Sequence, residues 1–299
     1  MTRFILEKEA VIDSKTGLMW VQNASFFSFP MTWEEAFSSV KSLNESGFCG
    51  YHDWKIPNRK ELFSLICHDR VNPAIPEDHP FEEIFNSYYW TSSTCKRLPD
   101  LAWYIHMGGA RVSKGMKSNS CMVWPVRISG QNKESRLFES GQRNCFSEHG
   151  HVIDCSGTGQ DGESQAGIKH APDRFAEENG MVFDKSYGLF WLKNANISKS
   201  PISWNSAFEF ISELNSKKFK GFNDWRVPSV AELESLTDLE MHSPALPLRH
   251  LFHDVQKYYW SSTESMYNTS YSWVLYMEDG AVGVGFKELS DFYLWPVRG

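Results

Sequence analysis

Twelve tryptophans constrain this chain more than any other feature. Trp20, Trp33, Trp54, Trp90, Trp103 and Trp124 are followed, at offsets of 170 or 171 residues, by Trp191, Trp204, Trp225, Trp260, Trp273 and Trp295. Tryptophan is the residue least expected to recur in register by chance, and the words around it recur as well. Gly17-Leu18-Met19-Trp20 answers to Gly188-Leu189-Phe190-Trp191, and Asp53-Trp54-Lys55-Ile56-Pro57 to Asp224-Trp225-Arg226-Val227-Pro228. Tyr88-Tyr89-Trp90 answers to Tyr258-Tyr259-Trp260, and Trp124-Pro125-Val126-Arg127 to Trp295-Pro296-Val297-Arg298. A drift of one residue in the offset is what loop insertions leave behind. Two copies describe duplicated globular domains, since a solenoid needs at least three repeats. With 299 residues, 41% of them hydrophobic and 15% aromatic, the chain can bury two cores. The reading is one copy over 1–128, a Gly/Ser-rich linker with a cysteine pair over 129–173, and a second copy over 174–299.

Within each copy the pattern places helices first and strands after. Trp33, Ala36, Phe37, Val40 and Leu43 fall at i, i+3, i+4, i+7 and i+10, and Trp204, Ala207, Phe208, Ile211 and Leu214 repeat that spacing. Thr32 with Glu35 forms a capping box for the first helix, while Ser203 alone caps its counterpart. A second short helix begins at Asn58 with Glu61, matched by Ser229 with Glu232, and turns Leu62, Leu65, Leu233 and Leu236 inward. In the last third, Trp103, Ile105 and Met107 alternate with Tyr104 and His106, and Trp273, Leu275 and Met277 with Val274 and Tyr276, the period of a half-buried strand.

A formal net charge of -7 gives no basic field to gather phosphates, so nucleic acid is not an expected partner. No apolar stretch reaches the roughly 18 residues of a membrane span, and Glu7 and Glu9 interrupt any export signal at the start, so neither is read here. Gly157-x-Gly159-x-x-Gly162 fits the dinucleotide fingerprint literally, but no strand before it or apolar helix after it supplies the required context, so it reads as flexible linker. The histidines lack the paired short spacing of a zinc site, and no metal or other cofactor is expected. Asp53 and Asp224 read as turn-forming acceptors rather than acid–base groups. Arg127 and Arg298 end apolar strands and call for a carboxylate, with Glu61 and Glu232, or Asp13 and Asp184, as candidates.

The ordered words Asp-Trp-Lys/Arg-Ile/Val-Pro, Glu-Leu-x-Ser-Leu, Asn72-Pro73-Ala74-Ile75-Pro76 with His79-Pro80-Phe81, Tyr-Trp-Ser/Thr-Ser and Trp-Pro-Val-Arg resemble the bacterial DUF1566 family, which includes the C-terminal domain of a collagen-like adhesin, Lcl. The resemblance covers both copies. The second departs only modestly, with Ser243-Pro244-Ala245-Leu246-Pro247 in place of the Asn-Pro word. Cys145 to Cys155 followed by Gly157-Thr158-Gly159-Gln160-Asp161-Gly162 is similar to a segment that often precedes such domains. The family resemblance implies an α+β class of two tandem C-type lectin-like domains, each with two helices followed by a mainly antiparallel sheet. It also implies a ligand-binding role for a surface glycan or a protein, relatives that are often extracytoplasmic, and an oligomer among the options, since one such adhesin domain is trimeric. The sugar-binding words of calcium-dependent lectins are absent, so calcium-mediated binding is not carried over.

Three functional classes follow. An enzyme akin to the formylglycine-generating enzymes would need a closely spaced cysteine pair late in the domain; the second copy has no cysteine, and Cys49, Cys67, Cys95 and Cys121 of the first are not closely spaced, their pairing being left open. A non-catalytic binding module is the favoured class. A purely structural copy that braces the other is the third. The expected ligand surface is the outward face of the late strands: Tyr104, His106, Arg111 and Lys117 in the first copy, Tyr276, Glu278 and Lys287 in the second. Cys145 and Cys155 bracket a short hairpin around His149-Gly150-His151 and pair in an exported protein, or stay as thiols in a reducing cytosol.

Overall fold

The computed structural model describes residues 2–130 and 135–299. The chain divides into two compact units, 1–169 and 170–299, each α+β with few helices and antiparallel sheets.

The first unit opens on three short strands, β1 (Phe4–Glu7), β2 (Ala10–Asp13) and β3 (Leu18–Val21), in an antiparallel meander. The helices therefore do not come first. Four-residue strands leave too few alternations to register as a period, and β3, buried at every position, has none. Then come α1 (Trp33–Ser46), α2 (Arg59–Phe63), a second meander of β4 (Tyr88–Thr94), β5 (Leu101–His106) and β6 (Val112–Met116), and β7 (Val126–Ile128). β7 returns to pair with β3, so both ends of the domain close one sheet in the order β1-β2-β3-β7. After β7 the chain adds β8 (Cys145–Phe146), β9 (Val152–Ile153) and α3 (Asp161–Ser164). The second unit repeats the plan: β10 (Phe175–Glu178), β11 (Met181–Asp184), β12 (Leu189–Leu192), α4 (Trp204–Ser216), α5 (Val230–Ser235), β13 (Tyr258–Glu264), β14 (Tyr271–Tyr276), β15 (Ala281–Phe286) and β16 (Val297–Arg298), with β16 on β12.

The tryptophans are the reason the copies match. Trp33 Nε1 donates to Thr91 O and Trp204 Nε1 to Ser261 O, each at 2.8 Å, tying the first helix to the second meander. Trp124 donates to Val21 O and Trp295 to Leu192 O, tying the last strand to the first sheet at 2.8 and 2.9 Å. Each of these four indoles removes a large apolar area from water while its one polar atom keeps a partner. Both capping boxes of the first unit form as the spacing requires, as does that at Ser229, and Ser203 caps α4 through Ser206 N. Leu62, Leu65, Leu233 and Leu236 are fully buried.

The arginine partners differ from both sequence candidates. Arg127 pairs with Asp53 and lies over the Tyr51 ring at 3.7 Å; Arg298 pairs with Asp224 and lies over Phe222 at 3.7 Å. β7 and β16 run beside the Asp-Trp turn, through the Lys55–Val126 and Arg226–Val297 bridges, and so deliver their arginines there. Asp53 and Asp224 are thus ion-pair partners rather than local turn acceptors. Asp13 and Asp184 are taken by arginines ten residues upstream, Arg3 and Arg174, while Glu61 and Glu232 serve Lys55 and Arg226.

The segment read as a linker is, from residue 135 to 169, part of the first unit; residues 131–134 lie outside the described residues. Gln142 docks on the edge of β4, its amide accepting from Thr94 N at 2.8 Å and donating to Thr94 O at 2.7 Å, as a neighbouring strand would. Asp161 is wholly buried and accepts from Ser93 Oγ at 2.5 Å; burial pushes its carboxyl above the usual range. Cys145 and Cys155 form a disulfide across this segment. The glycine word has a purely internal role. Gly157 N and Gly159 N both donate to the Glu163 carboxylate at 2.6 Å, and a Cβ on Gly162 would stand 2.4 Å from Asn144 O.

Candidate functional site

The structure brings together three of the four residues expected on the late strands of the first copy. Tyr104 is half-buried against Tyr88 and Trp90, with ring centroids 4.3 and 5.6 Å away. His106 stands edge-on to Tyr88 at 4.7 Å, its Nδ1 accepting from Gly109 N. Burial, then the charge of Arg111, lowers the His106 pKa; Arg111 itself is exposed. Lys117, expected on the same outward face, does not join them. It is 1% exposed, its ammonium over the Trp33 ring at 4.2 Å and donating to Phe146 O and Ser147 O. The folded segment after β7 covers it, and burial brings its pKa down to about 8.

In the second copy Tyr276 is half-buried against Tyr258 at 5.2 Å, and Glu278 lines a pocket of about 170 Å³ with Ser243 and Lys257. Lys287 lies over Trp204 at 4.2 Å, the same place Lys117 holds over Trp33, and pairs with Glu264. Val274, expected outward, is fully buried. Its counterpart is Tyr104, whose ring crosses Gly115, where a Cβ would stand 2.5 Å from it. In the second copy the equivalent Gly285 is crossed by Phe292, 2.4 Å from a would-be Cβ, and Phe292 packs on Trp260 at 4.5 Å. Phe292 replaces Cys121, so the large ring has moved from β5 to the closing loop: Tyr104 with Cys121 in one copy, Val274 with Phe292 in the other. Only the packed glycine floor reveals this exchange.

Sequence reasoning did not reach one opening of the second unit. A cleft of about 610 Å³ lies between the turn after β12, the Phe219–Gly221 turn and the loop before β13. Lys193, Asn194, Asn196, Ile197, Lys199, Phe219, Lys220, His253 and Asp254 are among its walls. Its frame is a backbone lattice: His253 N donates to Lys193 O and Ala195 N to His253 O. Four non-glycine residues at its rim have left-handed backbone, Asn179, Lys199, Lys220 and Asp254, with φ of 54°, 61°, 55° and 55°. The first copy holds Lys8, Ser28, Cys49 and Glu83 at 57°, 66°, 56° and 50° in the corresponding places. Such backbone is costly for residues with a Cβ and persists only where the surrounding structure imposes it. Asn196 adds a side-chain oxygen withdrawn from solvent, with no donor among the described residues. No signal of periodicity or motif marks these residues, because they come from loops far apart in the sequence.

Among the described residues no cluster of His, Cys, Asp or Glu is arranged to hold a metal, and no helix is long and apolar enough to cross a membrane. No curated protein matches the chain. The family model of the Lcl C-terminal domain matches twice, over residues 9–127 and 180–298, each match falling within one unit and ending on the strand that closes its first sheet. The chain therefore belongs to the Lcl C-terminal domain family, as two tandem copies.

Proposed function

We propose that this chain is a non-catalytic, adhesin-like ligand-binding protein, built from two C-type lectin-like domains, whose ligand is a surface glycan or a protein. The observation that carries the reading is the loop-built cleft of the second copy with its ring of left-handed residues, a backbone ring that the first copy repeats at the same four positions. Strained backbone held in place by a rigid sheet frame is a feature of ligand-holding loops. A concave wall of convergent polar side chains around an aromatic ring supports the same reading, and the buried Asn196 oxygen awaits a donor. The α+β plan, in which the last strand of each copy joins the sheet formed at its start, β7 on β3 and β16 on β12, is compatible with the lectin-like expectation.

Two observations weigh against catalysis by Cys95 and Cys121 of the first copy. Cys95 is buried, and burial pushes the Cys121 thiol up to about 12, far from a thiolate at neutral pH. The disulfide favours an oxidising compartment. A second reading keeps the late-strand face as a ligand surface, favoured by the grouping of Tyr88, Tyr104 and His106 beside the exposed Arg111.

A glycan and protein binding screen on the intact chain tests the proposal, with Asn196→Leu and Arg111→Ala as separate variants. Binding lost in Asn196→Leu supports the cleft, and binding lost only in Arg111→Ala supports the late strands. Turnover of a bound ligand would overturn the non-catalytic reading.

A further inference from the structure

One face of the first copy is roofed by its own chain, and the same face of the second is open. In the first, residues 135–169 run as a strap along the outer edge of β4. The Gln142 amide exchanges both hydrogen bonds with the Thr94 backbone, and Asp161 accepts from Ser93 Oγ at 2.5 Å. Lys117 Nζ donates to Phe146 O and Ser147 O, and Gly159 lies so close to Phe37 that a Cβ there would stand 3.0 Å from the ring. Accordingly β4 is buried from Tyr89 to Thr94, and Trp33 and Lys117 are each 1% exposed.

In the second copy the receiving groups are present and uncovered. β13 pairs with β14 in the register of β4 with β5, so Glu264 turns its N–H and C=O to the open edge as Thr94 does. Thr263 takes the place of Ser93. Its Oγ1 accepts from Val230 N at 3.0 Å, as Ser93 Oγ does from Arg59 N, and its proton has no acceptor among the described residues. Lys287 lies over Trp204 as Lys117 lies over Trp33, but pairs with the exposed Glu264 carboxylate where Lys117 holds strap carbonyls. Thr263 and Trp204 are only half-buried and Glu264 is exposed. Beside them Phe208, Met266 and Tyr267 are 38%, 51% and 73% exposed, in the places of Phe37, Lys96 and Arg97. An open strand edge flanked by exposed apolar side chains is a template for another chain.

We infer that the β13 edge is a docking surface for a strap-like segment of another polypeptide, a disulfide-closed stretch bearing an amide for the Glu264 backbone, a carboxyl for Thr263 and a glycine turn against Phe208. The occupant is argued from the first copy, where a segment of that chemistry is seated on the same framework. Hydrogen bonds to the edge backbone supply the affinity of such β-addition, and side-chain contacts its selectivity. The Lys287–Glu264 pair does not bar the edge. An exposed ion pair contributes little, and an ammonium with three donors can turn to the carbonyls of the docked segment as Lys117 does. The surface shares no residue with the loop-built cleft, so it stands independently of the ligand reading.

Calorimetric titration of the intact chain with a synthetic peptide of residues 135–169, oxidised at Cys145 and Cys155, tests the inference. Because the chain's own strap fills the first copy, the peptide is expected to bind one per chain, at the second. Phe208→Asp, which sets a charge at an exposed ring position, and Glu264→Pro, which removes the edge N–H, are each expected to weaken binding at least tenfold with an unchanged circular dichroism spectrum. A peptide carrying Gln142→Ala and Asp161→Ala is expected to bind at least tenfold more weakly. Binding undiminished in both protein variants would mean exchange with the first copy's strap and would overturn the inference. So would equal binding of a peptide of the same composition in scrambled order, or silence of the native peptide.

Discussion

Asp184 offers the sharpest test of how the second copy is held together. Its carboxylate is fully buried and accepts Arg174 Nε at 2.9 Å, Arg174 Nη2 at 2.6 Å and Ser186 N at 3.0 Å, while Arg174 is only 4% exposed and also donates to Ser235 O. The pair ties β11 to the entry strand and to the end of α5. Asp184→Ala would leave a guanidinium in a nearly dry site with two charge-assisted bonds lost and one backbone amide orphaned, a change that costs about 3–5 kcal/mol. For a domain of this size each kcal/mol moves the melting temperature by roughly 3–5 °C, so the second unit should melt about 10–20 °C earlier. Asp184→Asn, which keeps one oxygen, should lose roughly half as much. Asp13→Ala in the first copy should cost less, because Arg3 is 19% exposed and water can reach it. Scanning calorimetry of the intact chain, with fragments from limited proteolysis used to assign each transition, reads the result. A shift below about 3 °C, or an equal shift of both units, would refute both the energetics and the independence of the copies.

Two further outcomes concern the first unit. Burial drops the His68 pKa to about 4 from an ordinary value near 6.5, so between those pH values the unfolded chain binds more protons and stability is lost as pH falls through the window. His68→Phe should flatten that slope by about 2 kcal/mol in urea midpoints compared at pH 7 and 4.5, and an unchanged slope would refute the buried-neutral ring. Reducing the Cys145–Cys155 disulfide opens a loop of ten residues and should destabilise the first unit by about 2–3 kcal/mol without touching the second. Thiol titration showing both cysteines free in native protein would sink it.

Legibility in the sequence tracked the range of the interaction. The capping boxes at Thr32, Asn58 and Ser229 are made within four residues, so spacing alone exposed them. The alternation of Trp103, Ile105 and Met107 reports a face of one strand and was equally visible. Arg127 with Asp53 joins positions 74 apart, and nothing local distinguishes Asp53 from Asp13 or Glu61 as its partner. Lys117 looked like surface because its cover arrives from residues about 30 further along, in a segment whose glycines suggested a free linker. Of the expected ligand surface, the face around Tyr104, His106 and Arg111 assembles, whereas the cleft gathers Lys193, Lys220 and His253 from three loops with no shared period.

The sequence by itself determined that one domain occurs twice, because tryptophans such as Trp33, Trp124, Trp204 and Trp295, whose indoles each anchor two elements, cannot drift without losing both burial and a hydrogen bond. It also determined where the main helices begin and which faces they bury. Tertiary structure alone decided how the copies differ. Whether a ring over Gly115 or Gly285 comes from the neighbouring strand or the closing loop, and which side chains wall the cleft of the second copy, depends on residues that meet only when distant loops come together. Packing volume and charge are properties of such meetings, and no single segment of the chain contains them.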